Sequence, residues 1–375
     1  MSQMISDQYL QYLPKGDRSA LQEKIYKDDG IEGRGLSPKY LSKLAELLDP
    51  DNREGQWWRD VLADRDVIIA VRRDSLNVYH RGGSIFLAEL RDGRIVPKTH
   101  AKYLVRQEQA HAEMNPDLSF AGPVGGTVWK SYKGPATLKD MLKAAAALAG
   151  PEKFGLHNLI KNSPDIIDVE IALDGSTAAP VEATTVEEQT EIGEAIEAAE
   201  AATDLTLGSS DKSGKDNRLD VATLKDRNGS IHLVFHEAKH FGNKELRAKR
   251  RAKGDAKRSD PKVLEQIDRY ATTLKTHETR LVSEYAALCR SLLIIDAMRQ
   301  SVLGNCQALD SDSLIKRVAL GESLKVDLEP RLIIFGFDDD QKKGTVWKPH
   351  LELLKKRLGR RFHAIGKTSD SCIRS

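Results

Sequence analysis

Three residues in the C-terminal half have the types and spacing that phosphate-ester chemistry needs: Asp220 and, further along, Glu237 and Lys239 on either side of Ala238. On a β-strand, residues two apart face the same way, so Glu237 and Lys239 project together while Ala238 turns to the core. Two carboxylates offer the hard oxygen donors that Mg2+ or Mn2+ takes, with room left for water and a substrate oxygen. A metal held there would acidify an attacking water and offset charge on a scissile phosphate. The compact ammonium of Lys239 would orient that water or stabilise the developing charge, a role that needs no large pKa shift.

The surrounding segments predict how these residues meet. RLDVATLKD and SIHLVFHEAKHF read as two antiparallel strands joined at Asn228-Gly229, a dipeptide suited to a two-residue hairpin turn. Upstream, DIIDVEIAL over residues 165–173 alternates apolar and acidic residues as a third strand before Asp174-Gly175. It is preceded by an Ala/Leu-rich helix from Thr137 to Gly150 and by a helix that Pro151 opens and that runs to about Lys161. Downstream, Pro261 starts a long helical region with a break expected near Thr276 to Glu278. Then come a buried strand (PRLIIFGFDD), a helix closed by Gly359 (WKPHLELLKKRLG) and a last strand (RFHAIG). On the long helix Gln266 and Tyr270 stand one turn apart and share a face that can look into the site.

Leu219-Asp220, Glu237-Ala238-Lys239 and the helical Gln266-Ile267-Asp268-Arg269-Tyr270 together resemble the PD-(D/E)xK superfamily of restriction-endonuclease-like nucleases, and within it the RecB-like branch with its QxxxY motif. The resemblance covers roughly residues 150–345, where the order helix, three strands, helix, strand also agrees. Leu219 replaces the family's proline, a change that does not touch the metal ligands. What the resemblance implies is an α/β fold with a restriction-endonuclease-like core, a mixed central sheet flanked by helices. It further implies hydrolysis of phosphodiester bonds in DNA with Mg2+ (or Mn2+), while a place in defence or repair is an expectation attached to the N-terminal unit. Asp220 and Glu237 would hold the metal, Lys239 would assist the nucleophile, and Gln266 with Tyr270 would organise the site. The family draws a further acidic residue from an upstream helix. Glu170 is the first candidate for that catalytic, metal-holding place, Asp168 on the same face of its strand the second, and Glu152 on the preceding helix the third. A homodimer that cuts two strands is the expected assembly. The alternative is a non-cleaving nucleic-acid-binding subunit of a larger complex with the same fold.

Between the active strand and the QxxxY helix lies the densest basic run, Lys244 to Arg258, containing Lys244, Arg247, Lys249, Arg250, Arg251, Lys253, Lys257 and Arg258 against Glu245 and Asp255. At the rim of a cleft it would neutralise backbone phosphates and give salt-dependent, sequence-independent affinity. His240 and Asn243 are placed to contact phosphate as well. His236, His240 and Glu237 invite a zinc reading, but on a strand His236 and Glu237 point to opposite sides.

The whole chain balances 58 basic against 56 acidic residues for a net charge of +2, so any nucleic-acid surface must be local. Its 375 residues exceed one small core and divide into an N-terminal α/β accessory unit at 1–135 and a nuclease-like domain at 136–375. An acidic helical insertion at about 176–216 reads as a solvated helix between loose linkers, with occupation of the basic groove as the sharper possibility. In the N-terminal unit, Ser37 caps a helix opened by Pro38, and DVIIAVRR, LNVYHRGGSIFLAEL and GRIVPK read as strands turned at Gly82/Gly83 and Asp92-Gly93. This unit would select the target or dock a protein partner. Gly82/Gly83 and the run Gly122 to Gly126 lack the following Lys-Ser/Thr of a P-loop and read as turns. Cys289, Cys306 and Cys372, odd in number and widely spaced, support neither a disulfide framework nor a zinc knuckle. The absence of a long apolar run or a signal-like N-terminus predicts a cytoplasmic protein without a membrane partner.

Overall fold

The computed structural model describes residues 7–25, 33–104, 111–121, 129–173, 218–248, 260–304, 312–369 and 371–373. The acidic segment 176–216, the glycine run 122–126 and the basic stretch 249–259 lie outside these. Within them the chain is mixed α/β with two sheets, one antiparallel and one mixed.

Helices α1 (Lys15–Ile25), α2 (Pro38–Glu46) and α3 (Gln56–Ala63) lead into the antiparallel sheet. As expected, the Ser37 side chain caps α2 by accepting the Tyr40 N–H at 3.2 Å, with Pro38 in the first turn. The sheet runs in simple order through β1 (Ile68–Val71), β2 (Ser75–His80), β3 (Gly83–Arg91), β4 (Arg94–His100), then, past the short α4 (Ala101–Leu104), β5 (His111–Met114) and β6 (Phe120–Ala121). The β3–β4 hairpin turns on Asp92 (φ 49°) and Gly93 (φ 77°), both left-handed, the geometry that favours Asp-Gly. Trp57 and Trp58 of α3 are fully buried, with Trp57 packed on Phe86 of β3 at 5.4 Å. Helix α5 (Pro135–Leu148) packs on β2 and β3.

Helix α6 (Pro151–Lys161) opens the second layer. Strands β7 (Ile166–Ala172), β8 (Arg218–Arg227) and β9 (Ser230–His240) form an antiparallel meander, with Asn228 (φ 53°) and Gly229 (φ 79°) turning β8 into β9. Helix α7 (Lys262–Leu303) then carries the chain past α8 (Leu314–Ala319) to β10 (Leu324–Val326) and β11 (Arg331–Phe335), both parallel to β9. After α9 (Asp339–Lys343) and α10 (Lys348–Leu358), β12 (Phe362–Ile365) adds parallel to β11. The sheet order is β12-β11-β9-β8-β7, with β10 beside β9.

Helix α7 corrects one expectation, because it has no break near Thr276 to Glu278 and runs unbroken for 42 residues. The segment holds no glycine or proline, and its threonines bond back along the helix, Thr272 to the Asp268 carbonyl and Thr276 to the Thr272 carbonyl. The polar stretch is therefore solvated surface, and the helix ends where Gly304 takes a left-handed φ of 69°.

The same helix ties the layers together. It packs on α3 and β1 as well as on β7 and β10, and one apolar cluster runs from Trp57, Trp58 and Phe86 to Phe235, Tyr270 and Tyr285. On the other face of the mixed sheet, Leu156 and Leu159 of α6 meet Val221, Ala238, Ile333 and Phe335. Gly155 permits this approach, since a Cβ there would sit 2.6 Å from the Phe335 ring. Covered on both sides, β9 is buried over most of its length, and its charged residues need a local explanation. Among the described residues no helix is long and apolar enough to cross a membrane.

Candidate active site

The β8–β9 ladder ends at the pair Val221 and His236, and one step further Asp220 faces Glu237. There the side chain replaces the ladder: Asp220 Oδ2 accepts the Ala238 N–H at 2.6 Å. Glu237 is 1% exposed and its Oε1 receives the Lys239 ammonium at 2.8 Å. Lys239 also reaches Glu245 at 3.3 Å. The structure thus brings Asp220, Glu237 and Lys239 into one cluster, and Ala238 packs in the core on the opposite face.

The electrostatics follow from burying like charges side by side. Burial pushes the Asp220 carboxyl well above its ordinary range, and the Glu237 charge adds to this. Burial likewise raises Glu237 to about 7, with Lys239 opposing the rise and Glu152 adding to it. For Lys239 burial alone would favour the neutral amine, but Glu237 and Asp220 overcome it and lift the pKa above the ordinary lysine value. Lys239 is therefore a permanent cation here and not a proton acceptor at neutral pH.

Two further acids flank the cluster. Glu152, in the first turn of α6, accepts the His240 N–H at 2.9 Å and the Asn243 side-chain amide at 3.1 Å, and its charge acts on both Glu237 and Lys239. Glu170 lies across from Asp220 on β7, in a left-handed conformation (φ 52°), 3.5 Å from Arg218, and its charge acts on Asp220. Asp168 is committed elsewhere. Its two oxygens take Arg34 and Arg72 at 2.6 Å each, and it accepts the Tyr285 hydroxyl at 3.0 Å. Burial would raise its pKa, but the two guanidinium groups hold it below the usual carboxylate value.

Gln266 donates to the Tyr270 hydroxyl at 2.7 Å, and that hydroxyl donates to the Arg218 carbonyl, two residues before Asp220. The Tyr270 hydroxyl is close enough to help hold charge on Glu237. Its hydrogen is nonetheless directed at Arg218, and Glu237 Oε2 has no hydrogen-bond partner. At the end of β9, His240 Nδ1 accepts the Gly242 N–H at 3.2 Å, and the His240 ring packs on Phe241 and Phe335. Asn243 accepts the Glu245 N–H at 2.9 Å and caps the turn Lys244–Leu246, which positions Glu245. Lys244 and Arg247 are exposed at this rim, with the Arg247 guanidinium over the Trp347 ring at 5.6 Å. Lys249, Arg250 and Arg251 fall outside the described residues. His236 is buried on the opposite face, 2.9 Å from Thr223 Oγ1, away from Glu237 as its strand position predicts.

Glu245 has no place among the sequence candidates beyond offsetting the basic run. The Asn243-x-Glu245 spacing, an Asx cap with an acid in the first turn, is the signal that points to it.

The donor set suits a hard divalent cation. Glu237 Oε2 is a buried oxygen without a partner, beside a second carboxylate whose charge is disfavoured as it stands. Among the described residues no three His, Cys, Asp or Glu side chains converge on one point, but Mg2+ needs only one or two carboxylates and completes its shell with water and substrate oxygens. Searches against protein-family models, curated proteins and solved structures found no match.

Proposed function

We propose that this chain is a metal-dependent nuclease of the PD-(D/E)xK type that hydrolyses phosphodiester bonds in DNA. The observation that carries the reading is the buried pair Asp220 and Glu237, face to face across β8 and β9 with Lys239 ion-paired to Glu237. The element order implied by the resemblance is present as α6, β7–β9, α7 and β11, which supports a restriction-endonuclease-like core. Gln266 and Tyr270 reach the strand that bears Asp220, as the QxxxY reading requires.

In this reading Asp220 and Glu237 hold Mg2+ (or Mn2+), which when bound supplies Lewis acidity and an acidified water. Both carboxyls must be deprotonated to ligate, and Lys239 favours that state in Glu237. The Lys239 ammonium stabilises negative charge that develops on the phosphate, as a fixed cation in a partly dry cleft. Tyr270 and Gln266 anchor the start of β8 and so the position of Asp220. Lys244 and Arg247 contact backbone phosphate. The antiparallel N-terminal sheet selects the target or a protein partner.

The test is cleavage of labelled circular and linear DNA, duplex and single-stranded, in Mg2+, in Mn2+ and in EDTA. Metal-dependent cutting should fall by about a hundredfold or more in Asp220→Ala and in Lys239→Ala. Salt-sensitive DNA binding without cutting by the unaltered chain would replace this reading with that of a non-cleaving DNA-binding subunit.

A further inference from the structure

We propose a second site, for a small phosphate-bearing anion, on the face of the mixed sheet turned away from α7. Strand alternation places Lys225 of β8, His236 of β9, Arg331 of β11 and His363 of β12 on that face, with Val221, Ala238 and Ile333 of the α6-side core continuing the same rows. Register makes them neighbours, since Arg331 lies beside His236, and Ile333, two residues on from Arg331, lies beside His363.

What marks the group as a site is its missing counter-charge. Asp327 is the carboxylate among them, and it is bound to Arg227 and stands 3.6 Å from Arg331. The Lys225 side chain makes no hydrogen bond or ion pair among the described residues, and its nearest charges are Arg331 and Arg227 together with Asp327. Three cations thus share one acid. His236 is fully buried, and while Nε2 meets Thr223, Nδ1 has no partner. His363 Nε2 is a second buried nitrogen without a partner. Buried ring nitrogens left in this state cost stability, and beside surplus cations a phosphate oxygen would offset that cost by accepting from the tautomer that carries its hydrogen there.

There is room beside them. A cavity of about 400 Å3 opens against His363, between the sheet residues Ile333 and Ile365 and the C-terminal segment Ser371 to Ile373. That is the size of a small-ligand pocket. His363 is the member of the group that lines it, and Arg331 stands two residues from its Ile333 wall on β11, a setting that suits a phosphomonoester or nucleoside diphosphate better than a polymer. His236 stands next to Glu237 on β9, so this site and the carboxylate cluster sit back to back on one strand. The proposal does not depend on the nuclease reading.

The experiment is calorimetric titration of the full chain, in EDTA, with inorganic phosphate, with ADP and with a short duplex DNA lacking terminal phosphates. Phosphate and ADP should bind saturably at one site, and Lys225→Gln and His363→Gln should each weaken that binding about tenfold, the loss of one charge-assisted contact. Both residues are partly exposed, so the variants should keep the native circular dichroism, and His363→Ala is the second variant at that position. Tighter binding of ADP than of phosphate assigns the cavity to the nucleoside, and equal binding assigns the site to the phosphate group alone. Either result supports the proposal. No saturable binding of either probe, affinity unchanged in the variants, or displacement of ADP by the duplex would overturn it.

Discussion

Replacing Glu237 by glutamine should make the metal-free protein more stable at alkaline pH. A carboxyl whose pKa rises from the ordinary 4.5 to about 7 on folding is one the fold prefers protonated. The sign follows: its contribution is fully present below the unfolded value of 4.5 and is lost as pH rises through about 7. At pH 8 the folded chain must hold the charge, at a cost of about 3 kcal/mol by the linkage relation. Glutamine resembles the protonated acid in shape and charge, so Glu237→Gln removes that cost, which is already net of what Lys239 offsets. The assay is urea unfolding of both proteins in EDTA at pH 8 and at pH 4. The variant should be more stable by up to about 3 kcal/mol at pH 8 and equal to the parent at pH 4. Adding Mg2+ at pH 8 should then raise the parent more than the variant, since only the parent keeps both carboxylates. A variant that is no more stable than the parent at pH 8 in EDTA would refute the argument that burial and like charges strain this site.

Cleavage by the unaltered chain should rise with pH above the ordinary carboxylate range, because on the proposed reading Glu237 and Asp220, both raised, must lose protons to hold metal. More Mg2+ should move the midpoint to lower pH, and an initial-rate profile flat from pH 6 to 8 would count against it. Asp168→Asn should destabilise the fold by about 3 kcal/mol in urea titration, because Arg34 and Arg72 are left buried without their shared carboxylate. Full stability in that variant would mean the two arginines find other partners. Tyr270→Phe removes the link from Gln266 to the Arg218 carbonyl and should cost about 1 kcal/mol. Cleavage should fall more than stability does, since Arg218 is two residues from Asp220, and proportionate losses in both would leave Tyr270 a packing residue.

What could be read from the sequence depends on how far apart the partners lie along the chain. The β8–β9 hairpin follows from neighbours alone: Asn228-Gly229 supplies two left-handed residues, and period-two alternation sends Glu237 and Lys239 one way and Ala238 the other. The Gln266–Tyr270 contact is equally local, one helical turn. The uninterrupted α7 departs from the expected break because a polar stretch resembles a boundary, although without glycine or proline nothing local stops the helix. Strand β10 is not legible, because three residues carry too little periodicity. The acids around the site are a different problem. Asp168 and Glu170 look interchangeable on one strand, yet Asp168 is taken by Arg34, Arg72 and Tyr285, all distant in sequence. Glu170 adopts a backbone conformation that no local rule assigns to glutamate. Glu152 reaches the end of β9 across tertiary packing, where Gly155 lets α6 approach Phe335. Glu237 is where local and tertiary demands conflict, a carboxylate in a strand buried on both faces. A fold that keeps an acid where burial disfavours its charge, beside another acid and with one oxygen unsatisfied, has a cost that a ligand of opposite charge would relieve.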